Sequence, residues 1–386
     1  DLALCRCVLS ENKFEIASDI VNIKKSEPYA KAKHRLFMSA TLSDYDNFIR
    51  TLDINPECLN SLVCPESDKG IGERMILVPS LVSTEFNKEK IISICKDFSD
   101  SYTVFVLTSS TPQAEIWTKE GATLLTSENI SEELTNLKNS NLKNGLYVMA
   151  QRFEGLDLAD DLCRILVIDE IPFGERLIDK YDSECLGHIG GQGKKNIFRI
   201  EQGMGRAVRS HVDYAVVLLA GNDLSSFIAH KQCREALSEE TICQLDLGIK
   251  ITRKVQSSSG DKVLILKDVI SSCLTRDVGW KQTYAGTMKK IIKTDFNPNQ
   301  TLIEVAKQER RYYESSFNQQ YLENKESFNS AINKLEDSEF KAKLLENLAR
   351  VVKLYDFNES QKIQVKARHM NSKLLKPNTL LPKKVL

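Results

Sequence analysis

Between residues 75 and 219 the sequence alternates short apolar runs with longer amphipathic runs, and this alternation constrains the fold more than any other feature. The apolar runs have the length of strands, whereas the amphipathic runs have the length and spacing of helices. Alternating units of this size predict a parallel, doubly wound sheet with helices on both faces. The predicted strands are 75–78, 103–107, 123–126, 145–149, 164–168 and 214–219, and the predicted helices are 88–98, 112–119, 131–139 and 198–210.

The regions on either side follow other patterns. Two alternating runs between residues 5 and 21, broken at 10–13, predict a β-hairpin, and an apolar strand at 34–43 precedes a helix near 44–51. From about Leu224 the pattern is helical. Two apolar stripes around Asp337 predict an antiparallel helical hairpin whose aromatic residues belong to the core. The stripes are Phe317, Tyr321, Phe328, Ile332 and Leu335, then Phe340, Leu344, Leu348, Val351 and Val352.

Composition and charge limit the classes of protein to which this chain can belong. With 386 residues and 41% hydrophobic content the chain can bury a large core in two or three domains. Lys+Arg and Asp+Glu both total 53, so a polyanion would have to be held by local basic patches. The ten cysteines form no CxxC pair, so neither a zinc site nor an iron–sulfur cluster is supported, and their scattered positions indicate a reducing cytoplasm. The sequence shows no signal peptide and no membrane-spanning run. Because it begins with Asp1 and a strand-like run, we expect that it starts inside a larger protein.

An arginine-rich stretch is predicted at the end of the 198–210 helix. Gln202, Arg206 and Arg209 are spaced i, i+4 and i+7, which places them on one helical face. Two guanidinium groups beside an amide favour a phosphate-facing surface. Gly203 and Gly205 each cost a helix about 1 kcal/mol against alanine, so they indicate a close approach by a backbone or ligand. A solvated arginine helix with accidental glycines remains open on spacing alone.

Two further stretches suggest nucleotide binding at first sight. The glycine-rich run at 187–195 does not fit G-x-x-x-x-G-K-[ST], and we interpret it as a mobile loop. The run ending in Asp169 and Glu170 has the shape of a magnesium-binding strand. It follows no P-loop, however, so a structural role is favoured.

Four short motifs occur in one order on this predicted scaffold. They are 39–41 (S-A-T), 106–110 (V-L-T-S-S), 151–157 (Q-R-F-E-G-L-D) and 202–209 (Q-G-M-G-R-A-V-R). Together they resemble the second half of a superfamily-two helicase, whose Q-x-x-G-R-x-x-R motif is matched at every specified position. The E-G-L-D turn and the following strand are most similar to the DinG and XPD branch, although Arg152 and Phe153 stand where that branch tends to carry an aromatic pair. The resemblance covers about two thirds of the chain.

The resemblance implies a fold, cofactors and partners. The fold would be a RecA-like α/β domain followed by an all-helical accessory region. ATP would lie between two motor domains, with Mg²⁺ bound mainly by an upstream region and no metal site in this chain. The partners would be single-stranded DNA and the first motor domain, on the same or another chain, with no membrane. The domains would be 1–65, closing the first motor domain; 66–224, the second RecA-like domain; and 225–386, helical with a basic tail.

The resemblance also implies roles for individual residues. It implies that the second motor domain supplies arginines to the γ-phosphate of ATP. The implied catalytic residues are Gln202, Arg206 and Arg209, and the implied ATP-cleft residues are Glu154, Gly155, Asp157 and Gly205. Ser39 and Thr41 would couple nucleotide state to strand binding, and Thr108 and Ser109 would contact the nucleic-acid backbone.

Three functions remain open on the sequence. The first is the C-terminal part of an ATP-dependent helicase or translocase that does not hydrolyse ATP unaided. The second is a motor-derived module that binds nucleic acid or a partner without catalysis, and the third is a subunit of a nucleotide-dependent nuclease.

The tail beyond residue 361 carries only basic charges, and it is either solvated or in contact with nucleic-acid phosphates.

Overall fold

The computed structural model describes residues 4–38, 45–59, 72–83, 86–150, 158, 160–172, 176–186, 191–208, 210–291 and 299–374. The chain divides into two compact units. The sheet unit contains Glu66–Phe173 and Lys195–Thr294, and the helical unit contains Asp1–Pro65, Gly174–Lys194 and Asp295–Leu386. Each unit is therefore assembled from separate stretches of sequence. The three-part domain division expected from the sequence stays a prediction.

Eight strands lie within the described residues. The first two form a separate antiparallel pair, and the other six form one sheet. They are β1 Cys5–Leu9, β2 Phe14–Ser18, β3 Glu73–Leu77, β4 Thr103–Thr108, β5 Thr123–Leu125, β6 Gly145–Ala150, β7 Ile165–Asp169 and β8 Tyr214–Ala220.

The α-helices of the described residues follow the predicted alternation and then dominate the C-terminal half. Up to β8 they are α1 Glu27–Lys31, α2 Tyr45–Leu52, α3 Lys88–Ser99, α4 Thr111–Lys119, α5 Ile130–Asn139, α6 Leu177–Leu186 and α7 Gly191–Met204. After β8 they are α8 Asn222–Ala229, α9 Lys231–Arg234, α10 Glu239–Ser257, α11 Lys262–Leu274, α12 Val278–Met288, α13 Gln300–Phe317, α14 Lys325–Asn333, α15 Glu339–Val352 and α16 Phe357–Met370.

The six-stranded sheet has the order β3-β8-β7-β4-β6-β5, and every neighbouring pair is parallel. Strands β3, β4 and β7 are buried along their whole length, as expected where helices cover both faces. Helices α5, α7 and α8 pack on one face, while α3, α4 and α11 pack on the other. This arrangement confirms the predicted RecA-like, doubly wound fold followed by a helical region.

The connections of the sheet change direction between its two central strands. Strand β4 leads through α4 to β5 on one side, whereas β7 leads by way of α7 to β8 on the other. Because β4 and β7 are neighbours, the point at which the connections change direction lies at their carboxyl ends. Such a switch point is where open α/β sheets bind ligands.

The helical unit contains the predicted β-hairpin. Strands β1 and β2 pair antiparallel from Cys5 opposite Ser18 to Leu9 opposite Phe14, and the Ser10 amide donates to the carbonyl of Lys13 across the turn. The predicted helical pair around Asp337 is present in part, as α14 and α15. The first of its two apolar stripes does not lie on one helix, because α13 ends at Phe317 and Tyr321 lies in the turn before α14. The buried residues of α14 and α15, among them Phe328 and Leu348, belong to the core of this unit. No helix in the described ranges is both long and apolar enough to cross a membrane.

Two local predictions were wrong. Residues 34–38 form no strand, and the side chains of Leu36 and Met38 are each 82% exposed; the remainder of that predicted strand lies outside the described residues. An isolated extended run gains no ladder hydrogen bonds, so apolar character alone does not make it a strand. The predicted loop at 187–195 is helical from Gly191 onward, because α7 begins there and is anchored downstream by Ile197 and Ile200.

Candidate functional site

The carboxyl ends of β4 and β7 bring together two pairs of polar residues. Thr108 lies opposite Asp169 in the parallel register, so Ser109 and Glu170 follow side by side at the switch point. The Ser109 Oγ donates a hydrogen bond to Glu170 Oε2 at 3.1 Å. A hydroxyl and a carboxylate from strands 61 residues apart in sequence therefore meet at the ligand-binding edge.

Thr108 itself faces inward. Its side chain is fully buried, and its hydroxyl lies 3.1 Å from the carbonyl of Ser110 and 3.2 Å from that of Met149. These contacts fix the turn from β4 into α4. The outward position at this edge belongs to Ser109, which is partly exposed.

Helix α4 starts directly after this turn. Ser110 is its N-cap in extended conformation, its side chain makes no capping hydrogen bond, and the first turn contains no acidic residue. The N-terminal amides of a helix and its dipole attract anions. The combination of Ser109 and the start of α4 suits a phosphate oxygen.

Asp169 is held by groups from two helices. Its side chain is 1% exposed, and Oδ2 accepts from the indole Nε1 of Trp117 at 2.7 Å and lies 3.0 Å from Lys88 Nζ. Lys88 also donates to Gln113 and lies 3.7 Å from Glu170 Oε1. The contacts with Trp117 and Lys88 are both made by Oδ2 of Asp169, whereas its buried Oδ1 accepts no hydrogen bond from the described residues. No group of three or more His, Cys, Asp or Glu in the described ranges is arranged to hold a metal ion.

Glu170 has an unusual backbone conformation. Its φ is +76°, in the left-handed region, and its amide donates to the carbonyl of Ala220 at 3.3 Å. The neighbouring Gly221, at the end of β8, has a φ of +96° and lies against Glu170. Non-glycine residues in this region cost about 1–3 kcal/mol and cluster at functional sites.

The arginine-rich stretch differs from its prediction. Helix α7 ends at Met204, and the Arg206 amide donates to the carbonyl of Gly203 in a turn, so Arg206 does not share a helical face with Gln202. A Cβ on Gly205 would lie 3.3 Å from the carbonyl oxygen of Gln202. The backbone that approaches Gly205 therefore belongs to α7 itself.

The segment after α7 lies at the amino edge of the sheet. A Cβ on Gly72, just before β3, would lie 2.2 Å from the carbonyl oxygen of Ser210, and Arg164 Nη1, just before β7, donates to Asp213 Oδ1 at 2.9 Å. Arg206 and Gln202 are both partly exposed in this region, whereas Ser109 lies at the carboxyl edge. The structure thus separates the predicted ATP-facing arginine from the predicted nucleic-acid contacts.

Ser109, Glu170 and Arg206 all lie within one segment of sequence that resembles a known family. Residues 85–240 match the helicase C-terminal domain. A search among curated proteins found no match. The match supports a helicase C-terminal domain that runs from just before α3 to the start of α10.

The matched segment contains most of the residues predicted from motifs. Thr108, Ser109, Gln202, Gly205 and Arg206 are placed as described above. The remaining predicted residues lie outside the described residues, and they are Ser39, Thr41, Glu154, Gly155, Asp157 and Arg209.

The sequence motifs predict no role in this site for Lys88, Trp117 or Glu170. Lys88 and Trp117 had no signal beyond their positions in predicted helices. Glu170 ends a run that has the shape of a magnesium-binding strand, and the sequence favours a structural role for it. The ends of β4 and β7 were both predicted, but their adjacency depends on strand order, which local sequence does not contain.

Proposed function

We propose that this chain is the C-terminal motor part of an ATP-dependent DNA helicase or translocase, most similar to the DinG and XPD branch. The observation that carries the proposal is that the segment matching a helicase C-terminal domain forms most of a RecA-like sheet. Polar side chains lie together at the switch point of that sheet. Nucleic acid would follow the carboxyl edge at Ser109, and ATP would meet the residues after α7. Such helicases generally hydrolyse ATP, so the whole protein is proposed to be an ATPase.

The arginines would act on charge that develops during phosphoryl transfer. Arg206 and Arg209 would approach the γ-phosphate, and Gln202 would contact the nucleotide or the attacking water. A guanidinium in this role is worth ~10³ to 10⁵ in rate. Arg206 fits a phosphate partner because it lies partly exposed just beyond the end of α7.

The remaining roles rest on the motif resemblance. Glu154, Gly155, Asp157 and Gly205 would line the ATP cleft, and Ser39 and Thr41 would couple nucleotide state to strand binding. Mg²⁺ would be bound mainly by a region upstream of this chain, and in this chain Lys88 lies against Oδ2 of Asp169. The proposal therefore assigns the metal and the P-loop to the first motor domain.

The test is ATP hydrolysis by the full-length protein with and without single-stranded DNA. We expect stimulation by the strand, and Arg206→Ala and Arg209→Ala should each lower turnover by ~10³-fold or more. The matched control is Arg253→Ala on the exposed surface of α10, which should leave turnover unchanged.

Two outcomes would contradict the proposal. Turnover that survives both substitutions would remove the arginines from catalysis. If the full-length protein showed no strand-stimulated turnover but still bound DNA, the chain would instead be a motor-derived binding module.

A further inference from the structure

The side chain of Glu170 contacts two groups to which a phosphate could otherwise bind. One carboxylate oxygen accepts from Ser109 Oγ at 3.1 Å, and the other lies 3.7 Å from Lys88 Nζ. A hydroxyl and an ammonium group are typical partners of phosphate oxygens. In the structure, both groups face a carboxylate instead.

The local charge also opposes a phosphate. Asp169 and Glu170 contribute two negative charges and Lys88 contributes one positive charge, which leaves one negative charge in this cluster. Lys88 is held more closely by Asp169, at 3.0 Å, than by Glu170. The Glu170 carboxylate, whose side chain is 34% exposed, therefore presents a charge at the switch point that Lys88 compensates only in part.

The backbone conformation indicates that this side chain is not incidental. At a φ of +76° a glycine would be unstrained, whereas a glutamate is not. The strained residue stands at the switch point, beside the positive-φ Gly221. Strain at a ligand-binding edge is a reason to look for a function of the side chain.

We propose that Glu170 lowers the affinity of this domain for the nucleic-acid backbone. Its carboxylate competes with a phosphodiester for the Ser109 hydroxyl and repels the phosphate charge. The strand is then held loosely enough to be released at each step. This inference rests on the proposed function, because it takes Ser109 as a backbone contact.

The test is binding of a labelled oligothymidylate to the purified chain, measured by fluorescence anisotropy over a range of salt concentrations. Glu170→Gln keeps the shape and an acceptor for Ser109 but removes the charge. At low salt, about 50 mM, we expect binding to tighten by ~3- to 10-fold, and the gain should shrink as salt screens the charge. The control is Glu120→Gln, an exposed carboxylate 3.2 Å from Lys96, which should change affinity by less than about twofold.

A double-mutant cycle connects the effect to Ser109. Ser109→Ala alone should weaken binding, and in that background the gain from Glu170→Gln should fall. Glu170→Gly serves as a second variant, because it removes the charge and suits the positive φ. A purely structural role for the Ser109–Glu170 hydrogen bond would lower the melting temperature without changing the salt dependence.

The outcomes separate the inference from the function on which it rests. If Ser109→Ala weakens binding but Glu170→Gln and Glu170→Gly behave like Glu120→Gln, the inference is wrong and the proposed backbone contact stands. If Ser109→Ala has no effect, or if neither wild type nor Glu170→Gln binds at low salt, both are overturned.

Discussion

Gly248 of α10 lies directly against the carbonyl oxygen of Ile76 in β3, so close that a Cβ on this glycine would be 1.5 Å from that oxygen. The glycine lets the helix approach the backbone of an edge strand of the sheet. Nearby, α10 contributes Leu245 to one core of the sheet unit and Leu247 to the other. This helix, which follows the α/β alternation, is therefore an integral part of the sheet unit.

Gly248→Ala should destabilise the sheet unit by about 3 kcal/mol or more, because α10 would have to move away from β3. Denaturant unfolding followed by circular dichroism measures the change. Gly286→Ala in α12 is the matched control, since its added Cβ would meet nothing within 4 Å. We expect that control to be neutral or stabilising by up to about 1 kcal/mol. Equal stabilities for the two variants would contradict the close contact.

Gln244→Ala should destabilise the same unit by about 2–4 kcal/mol. The reason is that Gln244 Oε1 accepts from Nε of the buried Arg74 at 2.7 Å, while Gln244 Nε2 donates to the Gly72 carbonyl at 3.2 Å. Burial lowers the pKa of Arg74, which reflects how poorly the site solvates a guanidinium. Thermal unfolding measures the loss, and Gln282→Ala on the exposed face of α12 provides the control. A loss no larger than that of the control would refute the role of Gln244.

The sequence predicted the sheet unit well because its signal is local. Runs such as 103–107 and 164–168 are apolar and short, and each forms a buried strand within one residue of its predicted bounds.

The end of α7 was harder to predict. Ile197, Ile200, Met204, Ala207 and Val208 keep a helical period beyond Met204, and all five are buried, but the last two lie in the turn that enters β8. Periodicity reports which residues are buried, and it does not distinguish a helix from a turn that buries the same residues.

The candidate site was predictable only in part for a different reason. The motif predicts Ser109 as a site residue. Its contact with Glu170 follows only from the adjacency of β4 and β7 in the sheet. Strand order depends on long-range packing, so contacts between strand ends do not follow from local patterns. The same limit applies to Lys88, whose contact with Asp169 joins α3 to β7.

The helical unit depends on a largely buried ionic cluster, and its stability should fall in acid. Asp19, after the β-hairpin, pairs with Arg6 at 2.7 Å and with Arg350 of α15, while Arg6 also pairs with Asp182 of α6 at 2.5 Å. The cluster thus ties together three segments that are distant in sequence. Burial alone would raise the pKa of Asp19, but Arg350 and Arg6 together lower it to about 2.

The direction of the pH effect follows from this lowered pKa. A carboxyl group with a pKa below its ordinary value of 3.8 stabilises the folded state fully above that value and loses the contribution as the pH falls towards about 2. The shift corresponds to about 2 kcal/mol. Asp19→Asn should therefore destabilise the unit at neutral pH by about 3–5 kcal/mol, since it removes the carboxylate that pairs with Arg350 and leaves Arg6 with Asp182 alone.

Urea unfolding at a series of pH values between neutrality and pH 2 measures both effects. The difference in free energy of unfolding between wild type and Asp19→Asn should narrow below pH 4, because the wild-type carboxylate then becomes protonated. Asp268→Asn, on the exposed surface of α11, is the control and should follow wild type throughout. A gap between Asp19→Asn and wild type that stayed constant down to pH 2 would show that the charge of Asp19 does not stabilise the cluster.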